Sequence, residues 1–88
     1  MTAPKFTVYT KASCPFCVRA KHLLVRKGIR FEEISVEGRD DLRGWLVETT
    51  GQMTVPQIFA GDRSLGGYSD LAALDTEGKL EPIVHGEG

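Results

Sequence analysis

Cysteine is scarce in this chain of 88 residues: there are two, Cys14 and Cys17. A small secreted domain stapled by disulfides needs more than one pair, so a reducing cytoplasm is the expected home. Histidine is as scarce, with His22 and His85 far apart in sequence. His22 lies about one and a half turns beyond Cys17 on the same expected helix and faces elsewhere, so both histidines read as solvated side chains. Excess charge of either sign is also missing, with 11 Lys and Arg against 12 Asp and Glu. Bulk electrostatics therefore point to neither nucleic acid nor a membrane surface. No apolar run approaches the roughly 20 residues of a membrane-spanning helix. Met1-Thr-Ala-Pro-Lys5 leads almost at once into a strand, which leaves no room for a signal or transit peptide. Internal repeats, linkers and low-complexity tracts are absent too.

What is present fits one small domain, residues 1–88, of ordinary apolar content. Lys5 to Thr10 alternates and favours extended structure, the first strand. Pro15 suits the first position of a helix running to Gly28. On that helix Cys17, Ala20, Leu24 and Val25 are expected inward, with Leu23 flanking. Phe31 to Val36 reads as a second strand, parallel to the first through a right-handed crossover. After Gly38 and Asp40-Asp41, Leu42, Trp45, Leu46 and Thr49 mark the inward stripe of a second helix closed by Gly51, with Trp45 in the core or at its edge. Val55 to Ala60 and Arg63 to Leu65 form a hairpin across Gly61-Asp62, a primed two-residue turn. Ser69 caps a third helix bearing Leu71 and Leu74, with Glu77 near its end and Gly78 after it. Leu80, Ile83 and Val84 extend a short apolar stripe, and Gly86-Glu87-Gly88 is expected to fray. The order is βαβαββα, an α/β fold with helices on both faces of a mixed sheet.

Chemistry concentrates at Ser13-Cys14-Pro15-Phe16-Cys17. Three readings compete. Structural zinc needs four ligands, and the two thiols and two distant histidines do not have the spacing. A permanent disulfide over so short a loop removes little unfolded-state entropy and is a weak staple. Redox chemistry has a mechanism. Cys14 sits at or just before the first helical residue, where unpaired N–H groups and the positive end of the helix dipole favour a thiolate, and Lys11 adds positive charge. Thiols in such places fall from about 8.5 to roughly 3.5–7.5. Cys17, one turn in, is more buried and less acidic. Cys14 is thus expected to attack and Cys17 to resolve.

Tyr9-Thr10-Lys11-x-x-Cys14-Pro15-Phe16-Cys17, Thr54-Val55-Pro56 and Gly66-Gly67-Tyr68-Ser69-Asp70 together resemble a glutaredoxin of the dithiol class over nearly the whole chain. The resemblance implies a thioredoxin-like fold with a four-stranded mixed sheet in the order 2-1-3-4 and the last strand antiparallel. It implies a cis bond before Pro56, beside the thiols, and a thiol–disulfide exchange with glutathione as cosubstrate and no bound cofactor or metal. The Val55 backbone would pair with glutathione as a short added strand. The glycines and N-terminus of the third helix, through Gly67, Tyr68, Ser69 and Asp70, would take its γ-glutamyl end. Lys11 and Arg43 would meet its glycine carboxylate, with Gln52 as a further contact, and Phe16, Thr54 and Pro56 would complete the surface. Cys14 and Cys17 would form the redox disulfide.

Phe16 stands where a tyrosine is common in the family, and Tyr68-Ser69 precedes the aspartate where many relatives differ. Both departures are expected to tune specificity or cysteine acidity. The expected partners are glutathione and disulfide-containing or glutathionylated proteins, with nothing in the sequence demanding more than a monomer. Two alternatives stand beside this reading. One is a redoxin recharged by thioredoxin reductase, disfavoured by the presumed glutathione contacts. The other is an iron–sulfur carrier bridging two subunits, disfavoured by the stiff turn at Pro15.

Overall fold

The computed structural model describes residues 3–86. Met1, Thr2, Glu87 and Gly88 lie outside the described residues, and with them most of the C-terminal end expected to fray.

The elements are β1 (Phe6–Thr10), α1 (Pro15–Arg26), β2 (Phe31–Ser35), α2 (Asp40–Thr50), β3 (Gln57–Ala60), β4 (Arg63–Gly66), α3 (Tyr68–Thr76) and α4 (Leu80–Val84). The sheet order is β2-β1-β3-β4. β1 and β2 run parallel, β3 antiparallel to β1, and β4 antiparallel to β3. This is the mixed sheet implied by the resemblance.

Period-two alternation in the central strands sends side chains to two cores. Phe6, Val8, Ile58 and Ala60 pack with Ala20, Leu23 and Leu24 of α1, Leu71 of α3, and Leu80 and Ile83 of α4. Phe59 points the other way, to Val36 and to Leu46 of α2, with Tyr9, Leu42 and Val55 against them. Trp45 is 42% exposed, its ring 5.6 Å from Tyr9 and 5.4 Å from Phe59, so it lies at the core edge.

Four expectations need correction. Val25 is 66% exposed and Leu23 is buried instead, because at about 100° per residue Val25 falls well off the arc shared by Cys17, Ala20, Leu23 and Leu24. Thr49 is exposed, and Leu46 is the buried residue of α2. The stripe after Gly78 is a separate short helix, α4, because the chain turns there: Gly78 has φ 72° and the Lys79 N–H donates to the Leu74 carbonyl. The cap of α3 is Gly67, not Ser69. Asp70 accepts from the Gly67 N–H at 3.1 Å and so satisfies the helix start from within its first turn.

α1 and α3 lie side by side in the same direction. Phe16 meets Tyr68 at their N-terminal ends, with ring centroids 6.2 Å apart. Lys27 at the end of α1 pairs with Asp75 at 3.0 Å near the end of α3. The positive ends of both helix dipoles therefore open at one end of the molecule.

Candidate functional site

Cys14 is the N-cap of α1, in extended conformation, with Pro15 at the first helical position. Its Sγ accepts from the Cys17 N–H at 3.2 Å, one of the donors that a helix start leaves unpaired. Cys14 is half-buried, whereas Cys17 is 2% exposed. Their Cα atoms are 5.2 Å apart and the sulfurs are within bonding reach, joined as a disulfide.

The loop beneath Cys14 is tied down from below. Ala12 N–H donates to Glu37 Oε1 at 3.0 Å, and Val36 N–H donates to the Thr10 carbonyl at 2.8 Å. Thr10, buried at the end of β1, donates through Oγ1 to Glu33 Oε2 at 2.8 Å. Lys21 Nζ of α1 reaches the same oxygen at 3.0 Å. The Lys21 ammonium first, then the Thr10 hydroxyl, holds the Glu33 carboxyl below its ordinary value. Helix, first strand and second strand thus meet on one carboxylate directly below the thiols' helix.

The Val55–Pro56 bond is cis. The Val55 carbonyl oxygen lies 3.8 Å from Cys14 Sγ. The segment leading into it is braced. Thr50 Oγ1 donates to the Leu46 carbonyl at 2.7 Å and accepts from the Gln52 N–H at 3.1 Å. Gln57 Nε2 donates to Gln52 Oε1 at 3.0 Å and to the Thr54 carbonyl at 2.9 Å. Gln57 is fully buried, and its Oε1 has no hydrogen-bond partner among the described residues. An orphaned buried acceptor costs about 1–3 kcal/mol, so this amide is held for its donors.

Two clefts flank Val55, each of about 310 Å³. Lys11 and Arg43 line the first, against an apolar wall of Val36, Leu46 and Val47. Phe16, Pro56, Gly67, Tyr68, Ser69 and Asp70 line the second. Gln52, Thr54 and Val55 are common to both. Together they form one trough around the Val55 backbone, of the size small-ligand sites have. All thirteen residues singled out in the sequence, Gln52 included, stand at this end of the molecule: eleven in the trough walls, with Cys14 against Val55 and Cys17 buried behind it.

Glycine lets α3 approach. Gly66 has φ 85°, and a Cβ there would overlap the Asp70 carboxylate. A Cβ on Gly67 would lie 3.4 Å from the Pro56 carbonyl. Phe16, 51% exposed, forms the outer wall with Tyr68, and the Arg19 guanidinium lies 5.2 Å from its ring centroid. Sequence reasoning missed Arg19, Glu37 and Gln57. For Gln57 a signal existed, an amide where a strand otherwise made of apolar residues begins.

A capped, half-exposed sulfur joined to a buried one a helical turn away, on a four-stranded mixed sheet with helices on both faces, defines a thiol–disulfide oxidoreductase of the thioredoxin-like fold. Residues 6–65, more than half of the chain, match the family model Glutaredoxin. The chain is 47% identical over 81 residues to a glutaredoxin of Pseudomonas aeruginosa, covering 92% of this chain and 96% of that protein. It is 44% identical over 77 residues to glutaredoxin 3 of Escherichia coli, covering 88% and 93%. A glutaredoxin of Brucella melitensis superposes with a TM-score of 0.85 at 42% identity, over 97% of this chain and 92% of that one. A buckwheat glutaredoxin–glutathione complex superposes with a TM-score of 0.86 at 31% identity, over 92% and 76%. The chain belongs to the glutaredoxin family.

Proposed function

We propose that this protein reduces protein–glutathione mixed disulfides and protein disulfides with glutathione as the electron donor. The observation that carries the reading is the position of Cys14. Its sulfur sits on a helix N-terminus, 3.8 Å from the backbone of a trough able to take an extended peptide. The buckwheat relative solved with glutathione lends support.

With a glutathionylated protein, the Cys14 thiolate attacks the glutathione sulfur. The bond from Cys14 Sγ to that sulfur forms, the mixed disulfide breaks, and the substrate leaves as a thiolate that takes up a proton. A second glutathione thiolate then attacks the glutathione sulfur held on Cys14. Glutathione disulfide departs and Cys14 returns as thiolate. With a protein disulfide, Cys14 joins one substrate sulfur and releases the other. Cys17 then displaces the substrate, closing the Cys14–Cys17 disulfide, which two glutathione molecules reopen. Each cycle moves two electrons from glutathione to the substrate. The N–H of Cys17 and the α1 dipole stabilise the Cys14 thiolate whenever it is attacker or leaving group.

In the trough, the ligand's cysteinyl backbone pairs with the Val55 N–H and carbonyl, between Thr54 and Pro56. The γ-glutamyl carboxylate takes N–H donors from the first turn of α3, at Ser69 and Asp70. The Asp70 carboxylate faces its ammonium, with Phe16, Gly67 and Tyr68 as walls. The glycine carboxylate meets Lys11 and Arg43. Turnover of a glutathionylated peptide coupled to glutathione and glutathione reductase tests the reading. Robust turnover there, and little with thioredoxin reductase in their place, is expected. The reverse pattern would overturn glutathione dependence.

A further inference from the structure

We propose that Gln57, which the reaction itself does not use, is a positioning residue that fixes the direction of the Gln52 amide and makes Gln52 a carboxylate donor in the trough. The proposal rests on the glutathione reading above and goes one layer deeper into it.

Donors and acceptors decide which way the amide faces. A primary amide has two N–H donors and one carbonyl acceptor. Gln57 is fully buried at the start of β3, and both of its donors are spent, one on the Thr54 carbonyl and one on Gln52 Oε1. The Thr54 carbonyl is a main-chain acceptor and cannot reverse, so it dictates which way the Gln57 amide faces. Turning that amide over would set its oxygen against two acceptors. Its own buried Oε1 goes without a partner in the observed orientation, so the donors decide the orientation.

The consequence passes to Gln52. Its Oε1 is held inward by Gln57, so its NH₂ group is the free end. Gln52 is exposed and lines both clefts. Its main-chain N–H is fixed separately by Thr50 Oγ1 at 3.1 Å. A residue pinned at its backbone and at its amide oxygen presents two N–H donors in a set direction, in the cleft that Lys11 and Arg43 line. Two cations and an oriented amide make a carboxylate site more selective than the cations alone, because the amide rewards an acceptor of fixed geometry. The same Gln57 amide holds the Thr54 carbonyl, next to the Val55 backbone on which the ligand pairs. One buried side chain thus sets both the carboxylate donor and the adjoining edge.

Kinetics of Gln57→Met and Gln52→Leu test this, with glutathione and its glycyl monoethyl ester as reductants of a glutathionylated peptide. Methionine keeps the volume of Gln57 and leaves only exposed groups for water to satisfy. Each variant is expected to raise KM for glutathione about tenfold or more, as loss of one oriented hydrogen bond to a charged group does. kcat is expected to stay at the wild-type value in both. KM for the ester should change little in Gln52→Leu, whereas Gln57→Met, which also frees the Thr54 carbonyl, should raise it modestly. The double variant is expected to be no worse than Gln57→Met alone, since Gln52 acts through the same device. Full additivity, or an unchanged KM in folded Gln57→Met, would overturn the proposal. A second measurement does not depend on glutathione. In NMR spectra of the wild-type protein, both side-chain amide hydrogens of Gln57 should be protected from exchange and those of Gln52 should exchange freely. Fast exchange at Gln57 would overturn the brace even in an active enzyme. If wild-type turnover needs no glutathione, the proposed function fails, and the exchange data still decide the brace.

Discussion

Cys14 and Cys17 are separated by one helical turn and live in different surroundings. Cys14 is a half-exposed cap beside the Val55 carbonyl, and Cys17 is buried against the core. The cap position was legible because Cys-Pro at a strand–helix junction leaves few choices for where a helix begins. The glycines before α3 carry a further residue-scale prediction. Gly28 and Gly66 both have positive φ, but a Cβ at Gly28 meets open space and one at Gly66 meets the Asp70 carboxylate. Gly28→Ala and Gly66→Ala should each cost about 1–2 kcal/mol from the left-handed backbone alone. Only Gly66→Ala should also raise KM for glutathione, since it displaces the carboxylate that caps α3. Denaturant melts and steady-state kinetics on the two variants check this, and an unchanged KM in Gly66→Ala would detach Asp70 from ligand binding. Gln57 was less legible. Its hydrogen-bond partners lie on a loop whose path depends on the finished fold, and nothing local in the sequence names them.

Among the elements, α1 matters most, because it carries both thiols and is tethered to two strands through one carboxylate. Glu33 accepts from Thr10 of β1 and pairs with Lys21 of α1, and both partners lower its pKa. A carboxyl with a depressed folded-state pKa contributes stability above its unfolded value, about 4.3, and loses it as pH falls through the folded value. Glu33→Gln should therefore cost under about 1 kcal/mol at pH 7, the scale of a part-exposed pair. The gap between wild type and variant should close on acidification below about pH 4. Urea melts at neutral and acid pH measure the gap; one that widened in acid would contradict the tether. Asp41 in the first turn of α2 is held at about 2 by Arg39, the residue capping that helix. The element boundaries were largely readable from Pro15, the glycines and the alternation of β1. The inward arc of α1 was readable too, since the step of about 100° per residue already puts Val25 off it. The separate α4 was not, because it depends on how Leu80 and Ile83 find the core after a sharp turn.

For the molecule as a whole, the arrangement is directional. Parallel α1 and α3 bring two helix N-termini to one end of the sheet, and the cis-proline loop lies between them. The far end holds the Lys27–Asp75 pair. The sequence of elements, the parallel first pair, the hairpin and the two-faced layering followed from the strand and helix periods, whereas the order of the strands across the sheet came from the family resemblance. The trough did not follow from the periods, because it joins Cys14 to a Val55 backbone 41 positions away, and the two meet only once the sheet closes. Its walls were named in the sequence through family likeness, and their grouping around Val55 is geometric. The central claim is that Cys14 performs the attack at this trough and that Cys17 matters only where a protein disulfide must be resolved. Turnover of a glutathionylated peptide with glutathione and glutathione reductase, measured side by side for Cys17→Ser and Cys14→Ser, tests it most directly. Cys17→Ser should retain wild-type-like turnover, and Cys14→Ser should have none above the uncatalysed rate. Normal turnover by Cys14→Ser would contradict the account.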